Sequence, residues 1–374
     1  MLSKIRNIYQ KVTNAKGVKR HHAQTKSVSI LQRDSHNVSR QDISKNAIQV
    51  LHRLNHAGYE AYLVGGGVRD LLLQSKPKDF DVATNAKPEE IKSIFSNCRL
   101  IGRRFRLAHI WFRGEIIEVA TFRSGEAPKS INNNIKQSKS GMLLRDNIYG
   151  TLEDDAFRRD FTVNALYYSV KDFTIIDYVD GLKDIEAKQL RLIGDPNQRY
   201  REDPVRMLRA IRLSHKLAFQ IESETEAPIL SLSNLLNDIP AARRFEESLK
   251  LFLSGQGAEI FKSLVHYQLL PALFEPTSIF LKESKESHAL SLIIAALEST
   301  DRRIKIKKPV TPAFLIAAFL WHPMSSLAKQ YIDKGEHHSQ AYQHAIKEIF
   351  NLQNQCMAIP KRFFLTTRDI WLLQ

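Results

Sequence analysis

Two aspartates one residue apart, Asp79 and Asp81, have the types and spacing that best support chemistry in this chain. On a strand such residues project to the same face, so both carboxylates can bind divalent metal. Three glycines at 65–67 precede them, and at Gly66 a backbone without a side chain can lie against a phosphate. Arg69 follows in the first turn of the next helix, where its charge suits a triphosphate. A lone Asp-x-Asp also occurs in solvated loops, and glycines can simply close a corner, so the combination supports the interpretation.

Two such carboxylates suit chemistry on phosphates that uses two Mg²⁺ ions about 4 Å apart, one at the attacking and one at the leaving oxygen. Magnesium prefers oxygen ligands and shares substrate phosphates, so Asp79 and Asp81 suffice as protein ligands. A third carboxylate often completes such a site. Glu118 lies on an apolar strand, where it either faces the metals or is exposed. Asp160 is the other candidate for the third carboxylate. Alternatively, Asp160 could simply form an ion pair with Arg158 or Arg159.

A second motif, residues 201–213, predicts a helix with one basic side. Asp203 is a natural N-cap, and Pro204 suits the first helical position. At about 100° per residue, three arginines fall on one side and three apolar residues on the other. The arginines are Arg206, Arg209 and Arg212, and the apolar residues are Met207, Leu208 and Ile211. Such a helix packs against a core and offers donors to a cleft, with a plain solvated basic face as the alternative.

Asp203 and Arg206 have the chemistry to recognise a nucleotide base. A carboxylate can accept from an exocyclic amine while arginine donates to the adjacent ring nitrogen, which suits both adenine and cytosine. Uracil and guanine present the reverse pattern, and an unpaired buried polar group penalises the wrong base. The pair therefore cannot distinguish addition of A alone from addition of C and A.

The elements that position these residues are predicted from periodicity. Helices are expected at 43–56 and 68–73, and a third helix is expected to begin near residue 87. Strands are expected at 61–64, across the two aspartates, at 108–112 and at 115–122. Residues 124–140 are polar and predict a long loop. Beyond 177 the pattern is mostly helical. The fold class expected is α+β, with a mixed-sheet head followed by an all-helical neck and body.

Together these motifs resemble the class II tRNA nucleotidyltransferase and bacterial poly(A) polymerase family over residues 61–251. The resemblance implies that Asp79 and Asp81 bind metal and that Asp160 is a further catalytic carboxylate. It implies contacts to the incoming ATP from two groups of residues. Those at the phosphates and ribose are Gly66, Arg69 and Arg159. Those at the base and phosphates are Asp203, Arg206, Arg209 and Arg212.

The resemblance also implies a division of the chain. Residues 1–40 would form a flexible basic tail, 41–176 the nucleotidyltransferase head, 177–240 a helical neck that reads the base, and 241–374 a helical RNA-binding body. Polymerases of this kind continue beyond the last residue with a basic tail, so a C-terminally shortened chain is expected. A monomer is also implied.

Segments 102–109, 141–150 and 244–250 resemble the poly(A) polymerase branch of the family. The function implied is template-independent transfer of AMP from ATP to RNA 3′-hydroxyl ends, with release of pyrophosphate. Addition of CCA to tRNA is the first alternative. An RNA-binding protein that keeps the fold without catalysis is the second.

Composition supports a polyanionic partner. The net charge is +15, and residues 1–40 carry nine Lys or Arg against the single acid Asp34. Neutralised RNA phosphates would give salt-sensitive affinity, although the charge also serves solubility. Apolar content of 43% with no run long enough to cross a bilayer predicts no membrane partner. Two cysteines cannot build a disulfide framework, which favours a cytoplasmic location.

Overall fold

The computed structural model describes residues 28–102, 106–124, 135–137, 143–146, 148–283 and 287–373. Their buried apolar side chains fall mainly into two clusters. One lies in the head between Val38 and Ile175. The other begins at Phe161 and continues to Trp371. The helical region therefore has one continuous core that also receives residues from the end of the head.

Twelve described strands form one large sheet and two small pairs. They are β1 Ser29–Leu31, β2 Ala61–Val64, β3 Asp81–Thr84, β4 Cys98–Ile101, β5 Leu107–Phe112, β6 Glu115–Thr121, β7 Ile135–Gln137, β8 Leu143–Asp146, β9 Leu166–Tyr168, β10 Ile175–Asp177, β11 Gln189–Leu190 and β12 Gln220–Ile221. The eight-stranded head sheet has the order β1-β10-β9-β2-β3-β6-β5-β4. Only β3 and β6 pair in parallel within it; the pairs β7–β8 and β11–β12 stand apart.

The head helices are α1 Lys45–His56, α2 Gly66–Leu72, α3 Pro88–Ile94 and α4 Leu152–Arg158. Helix α1 begins where the Ser44 hydroxyl accepts from two backbone amides, which satisfies donors that the helix cannot. The corner between β2 and α2 is made by Gly65, whose φ of +78° is one that L side chains rarely adopt. Glycine is therefore required where the chain turns from β2 into the site.

The remaining helices build the neck and body. They are α5 Gly181–Glu186, α6 Pro196–Glu202, α7 Val205–Leu217, α8 Ser223–Glu226, α9 Pro228–Leu232, α10 Ala241–Phe252, α11 Gly257–His266, α12 Glu275–Glu283, α13 Ser287–Lys305, α14 Pro312–Asp333, α15 His338–Cys356 and α16 Lys361–Leu372. Helix α7 buries Met207, Leu208 and Ile211, as its spacing predicts. No helix in the described ranges has the length and apolarity of a membrane span. The predicted α+β fold class is confirmed, although the neck, which was expected to be all-helical, also contains the short pair β11–β12.

Four local predictions are corrected. Strand β3 begins at Asp81, so Asp79 lies in the extended segment before it. Within the expected tail 1–40, Ser29–Leu31 pairs with β10 as an edge strand, while 1–27 lie outside the described residues. The expected loop 124–140 contains strand β7, and 125–134 and 138–140 are not described. Asp203 ends α6 rather than capping α7, because Pro204 occupies the N-cap position.

Candidate active site

A cleft of about 1030 Å³ separates the head sheet from helices α7 and α10. Its head wall includes Asp79, Asp81 and Glu118, and its helical wall includes Arg209 and Arg212. The cleft therefore places an acidic wall opposite a basic one. This is the arrangement required to hold metal ions and a polyphosphate together.

The acidic wall follows from the register of three neighbouring strands. Asp81 on β3 is paired with Glu118 on β6, and Glu118 with His109 on β5. Residues paired in this way project from the same face of the sheet. Glu118 also contacts His109, with Oε1 3.3 Å from Nε2. Glu118 therefore lies beside Asp81 on this face of the sheet, and its side chain is 47% exposed.

Burial raises the pKa of the Asp81 carboxyl to about 6, and repulsion from Glu118 adds to the effect. Arg159 opposes this rise, and Asp79 contributes a smaller repulsion. The carboxylates thus form a concentration of negative charge that the nearby guanidinium only partly neutralises. A bound cation would relieve that repulsion.

The carboxylates fit magnesium as a set of hard oxygen donors. No three His, Cys, Asp or Glu side chains among the described residues converge on one point that could hold an ion by themselves. Asp79 and Asp81 would therefore share any ion with oxygens from the substrate. That is the usual situation for Mg²⁺, which keeps few protein ligands when phosphates are present.

Arg159 lies behind the glycine turn and next to Asp81. A Cβ added at Gly65 would lie 3.6 Å from Arg159 Nη1 and 3.9 Å from Asp81 Oδ2. The other side of the guanidinium donates to Asp155 Oδ2, at 3.1 Å from Nε and 2.9 Å from Nη2. Burial alone would lower the pKa of Arg159, but Tyr167 and Asp155 raise it above its ordinary value. Arg159 is thus a fixed cation whose Nη1 points to the turn.

Arg69 supports the glycine turn from beneath. It is only 3% exposed, and its Nε donates to Asp70 Oδ1 at 2.9 Å. Its Nη1 donates to the Asn164 side chain. A Cβ added at Gly66 would lie 3.2 Å from Arg69 Nη2, so the guanidinium lies directly against the turn. Arg69 is not among the described residues that line the cleft.

Asp160 is buried and forms an ion pair with Arg209, with 2.6 Å between Oδ2 and Nη2. Oδ1 accepts from the Phe161 amide at 2.8 Å and from the Asn164 side chain at 3.3 Å. Burial alone would raise the pKa of Asp160, but Arg209 and these two donors hold it below its usual range. The carboxylate is therefore ionised and holds an arginine of the cleft.

Arg212 faces the same cleft in a more buried position. Burial lowers the pKa of its guanidinium, and Arg209 lowers it further. The buried Nε has no hydrogen-bond partner among the described residues. A buried donor without a partner is costly, and an anionic ligand in the cleft would satisfy it.

The two residues expected to read the base both have protein partners. Asp203 Oδ2 accepts from Arg243 Nη2 at 2.9 Å. Arg206 Nη1 donates to the Arg199 carbonyl at 2.6 Å and to Glu202 Oε2 at 3.1 Å. Arg206 is also not among the described residues lining the cleft, whereas Arg243 is. Of the three arginines predicted on one side of α7, Arg209 and Arg212 therefore line the cleft, whereas Arg206 binds Glu202.

Sequence reasoning missed three residues of α10 that line the cleft: Arg243, Glu247 and Lys250. Their i, i+4, i+7 spacing is the polar face of an amphipathic helix, and that signal was available. It also missed Trp111, an exposed aromatic on β5.

Three family models match the chain. The Poly A polymerase head domain matches residues 61–191, and the probable RNA and SrmB-binding site of polymerase A matches 218–279. The arginine-rich C-terminus of polymerase A matches 334–374.

Similar proteins support the same relationship. The poly(A) polymerase I of Salmonella typhi is 49% identical over 377 residues, covering 100% of this chain and 81% of that protein. A CCA-adding enzyme of Lactobacillus gasseri is 38% identical over 216 residues, covering 58% of this chain and 52% of that enzyme. The solved Bacillus stearothermophilus CCA-adding enzyme in complex with CTP has a TM-score of 0.55 at 24% identity, covering 86% of this chain and 80% of that one. The last similarity shows the fold.

Proposed function

The chain belongs to the poly(A) polymerase family, and from this premise we propose that its cleft transfers AMP from ATP to the 3′-hydroxyl of RNA. The transfer needs no template and releases pyrophosphate. One observation supports this function above the others: the acidic wall that bears Asp79 and Asp81 faces the basic wall of α7 across a single cleft. Similarity to the Salmonella polymerase over the full chain is consistent with it.

Asp79 and Asp81 are the proposed ligands of two Mg²⁺ ions, and Glu118 is placed to add a contact. When bound, such ions increase the acidity of the attacking hydroxyl and stabilise the charge of the leaving pyrophosphate. The protein's part is to position the reactants. The carboxylates concentrate negative charge where cations must bind, and the pairing of β3 with β6 keeps Asp81 and Glu118 in place.

The triphosphate of ATP is proposed to lie between the glycine turn and α7. Gly66 allows close approach of the backbone, and Arg159 Nη1 is directed to the same turn. Arg209 and Arg212 extend from the opposite wall. Arg69 would act through the turn, because its guanidinium is held beneath Gly66 by Asp70 and Asn164.

Asp203 and Arg206 remain the proposed readers of the base, with adenine as the preferred partner. In the described structure each is held by another side chain, so a bound base would join or replace these contacts. Asp160 is proposed to position Arg209 rather than bind metal, because Oδ2 forms an ion pair with that arginine and Oδ1 accepts from two donors.

CCA addition to tRNA is the second candidate, because the expected base pattern suits cytosine as well as adenine. The curated CCA-adding relative covers only 58% of this chain, which favours the polymerase. A non-catalytic RNA binder would not need three carboxylates opposite two arginines, so it is the weaker alternative.

RNA 3′ ends and ATP are the proposed partners, and a cytoplasmic monomer is the proposed form. The net charge of +15 supports RNA binding. Both cysteines are free and buried, consistent with a reducing compartment.

Primer extension with each nucleoside triphosphate tests the function. We expect a labelled RNA oligonucleotide with Mg²⁺ to give a ladder with ATP and none with CTP, GTP or UTP. If the protein instead adds only C and then A to a tRNA that lacks its 3′-terminal CCA, the activity is CCA addition. RNA binding without any extension would leave the non-catalytic alternative.

A further inference from the structure

We propose that Trp111 stacks on a base near the 3′ end of the RNA, and so positions the primer that the proposed function extends. The inference rests on that function and assigns a residue to the RNA side of the cleft. Trp111 lines the same cleft as Asp79 and Asp81. It is not part of either large hydrophobic cluster among the described residues.

The sheet register places Trp111 beyond the carboxylates on the same face. Asp81, Glu118 and His109 form one row across β3, β6 and β5. Trp111 lies two residues further along β5, paired with Ile116. Asp81 and Trp111 are two strands apart across the sheet and two residues apart along it, which separates them by about 12 Å. Stacked nucleotides rise about 3.4 Å each, so this distance falls within the last few nucleotides of a primer.

The exposure of Trp111 is unusual for its type. Trp111 is 45% exposed, whereas Trp371 is 5% exposed. The neighbouring Ile116 is 39% exposed, so an apolar surface continues along the cleft wall. The Arg99 guanidinium lies 5.5 Å from the centre of the Trp111 ring. An indole with an adjacent guanidinium is a surface on which bases of any identity stack.

Charge identifies the occupant as RNA. Beside the two arginines proposed to bind ATP, the wall opposite Trp111 carries Arg243 and Lys250, which suit the phosphates of RNA. An aromatic platform facing a basic wall is the composition of grooves that hold single-stranded nucleic acid. A protein partner would instead require a broad apolar surface, and this cleft is concave and charged.

RNA affinity measured without ATP or Mg²⁺ separates this proposal from catalysis. The full chain is titrated with a labelled oligoadenylate, and its tryptophan fluorescence is followed. We expect Trp111→Ala to weaken RNA binding roughly 5- to 100-fold, the range for loss of one stacked base. Trp111→Phe should retain most of the affinity. Phe314→Ala is the control, because Phe314 is 43% exposed but lies on α14, away from the cleft.

Two readouts decide the result. Stacking predicts that RNA quenches the fluorescence of the parent and that Trp111→Phe, which conserves the fold, loses this quenching. In steady state, KM for RNA should rise in Trp111→Ala while KM for ATP stays within about twofold. Unchanged RNA affinity, or quenching that persists in Trp111→Phe, overturns the proposal. A rise in KM for ATP alone would also overturn it and assign the ring to the incoming nucleotide. Failure of the parent to extend RNA would refute the proposed function but not this binding result.

Discussion

Asp160 Oδ2 lies 2.6 Å from Arg209 Nη2, and this ion pair joins the head to helix α7 beside the cleft. The side chain of Asp160 is 9% exposed, whereas 39% of the Arg209 side chain remains accessible. One partner is thus held by the head while the other presents donors to a ligand. The pair links the position of the basic wall to the wall that carries the carboxylates.

Replacing Asp160 by Asn should therefore weaken ATP binding without changing the metal requirement. The amide keeps the shape but loses the charge that pairs with Arg209. A neighbouring opposite charge typically contributes about 1.4–4 kcal/mol. We expect KM for ATP to rise about 10-fold, measured at saturating RNA. The Mg²⁺ concentration for half-maximal rate should stay unchanged. A large increase in that concentration would instead make Asp160 a metal ligand.

The same ion pair predicts a loss of stability in acid. The folded-state pKa of Asp160 is depressed, so its contribution is present above its unfolded pKa, about 4, and is lost as the pH falls through the folded value. At pH 7 the Tm of the parent should be higher than the Tm of Asp160→Asn. The Tm difference should narrow below pH about 4. A constant difference down to pH 2 would show that this carboxylate does not titrate as described.

Replacing Asp81 by Asn should abolish nucleotidyl transfer while RNA binding is retained. We expect kcat to fall at least about 100-fold, as when one transition-state charge contact is removed. Glu118→Gln should show a smaller fall, because Glu118 is 47% exposed and can only add to the pair. Single-turnover extension measures the rate, and filter binding measures RNA affinity. Equal losses in both variants would place Glu118 among the metal ligands.

Replacing Arg212 by Met should raise KM for ATP without destabilising the ATP-free protein. A charge-assisted hydrogen bond contributes about 1.5–3 kcal/mol, so an increase of roughly 10- to 100-fold is expected. The variant removes a half-buried cation whose buried Nε lacks a hydrogen-bond partner among the described residues, so Tm without ATP should not fall. Arg201→Met is the matched control, since Arg201 is exposed on α6. A reduced Tm with unchanged KM would assign Arg212 a structural role.

Replacing Asp203 or Arg206 by Ala should relax base selection. Each removes one of the two contacts that distinguish adenine from guanine and uracil, so discrimination should fall at least about 10-fold. The ratios of kcat/KM for the four triphosphates measure the effect. Arg243→Ala is informative because Arg243 binds Asp203. If it reproduces the Asp203→Ala result, Asp203 acts by holding Arg243 rather than by touching the base.

Local signals predicted the parts of the site that depend on neighbours in sequence. Strand β2 has the predicted bounds, whereas α2 begins at Gly66, two residues before its predicted start. The apolar side of α7 is buried as its spacing requires. These features follow from periodicity and turn geometry, which a short segment contains.

The partners of the charged residues were not predictable in the same way. Spacing placed Arg206, Arg209 and Arg212 on one side, yet Arg206 turns to Glu202 while Arg209 binds Asp160. Asp160 and Arg209 meet only after the head packs on α7. Helical geometry limits the direction of a side chain, but tertiary contacts select which acid it meets.

The sheet order has a consequence for how the chain is made. The central strand β2 needs Leu63 to pair with Tyr168, and the edge strand β1 needs Ser29 to pair with Asp177. On the ribosome, the N-terminal part of the head therefore has to wait until β9 and β10 have emerged. Such distant pairing slows folding and leaves strand edges open in the meantime. The polypeptide therefore depends most on protection from aggregation while its head is incomplete, before β9 and β10 have emerged.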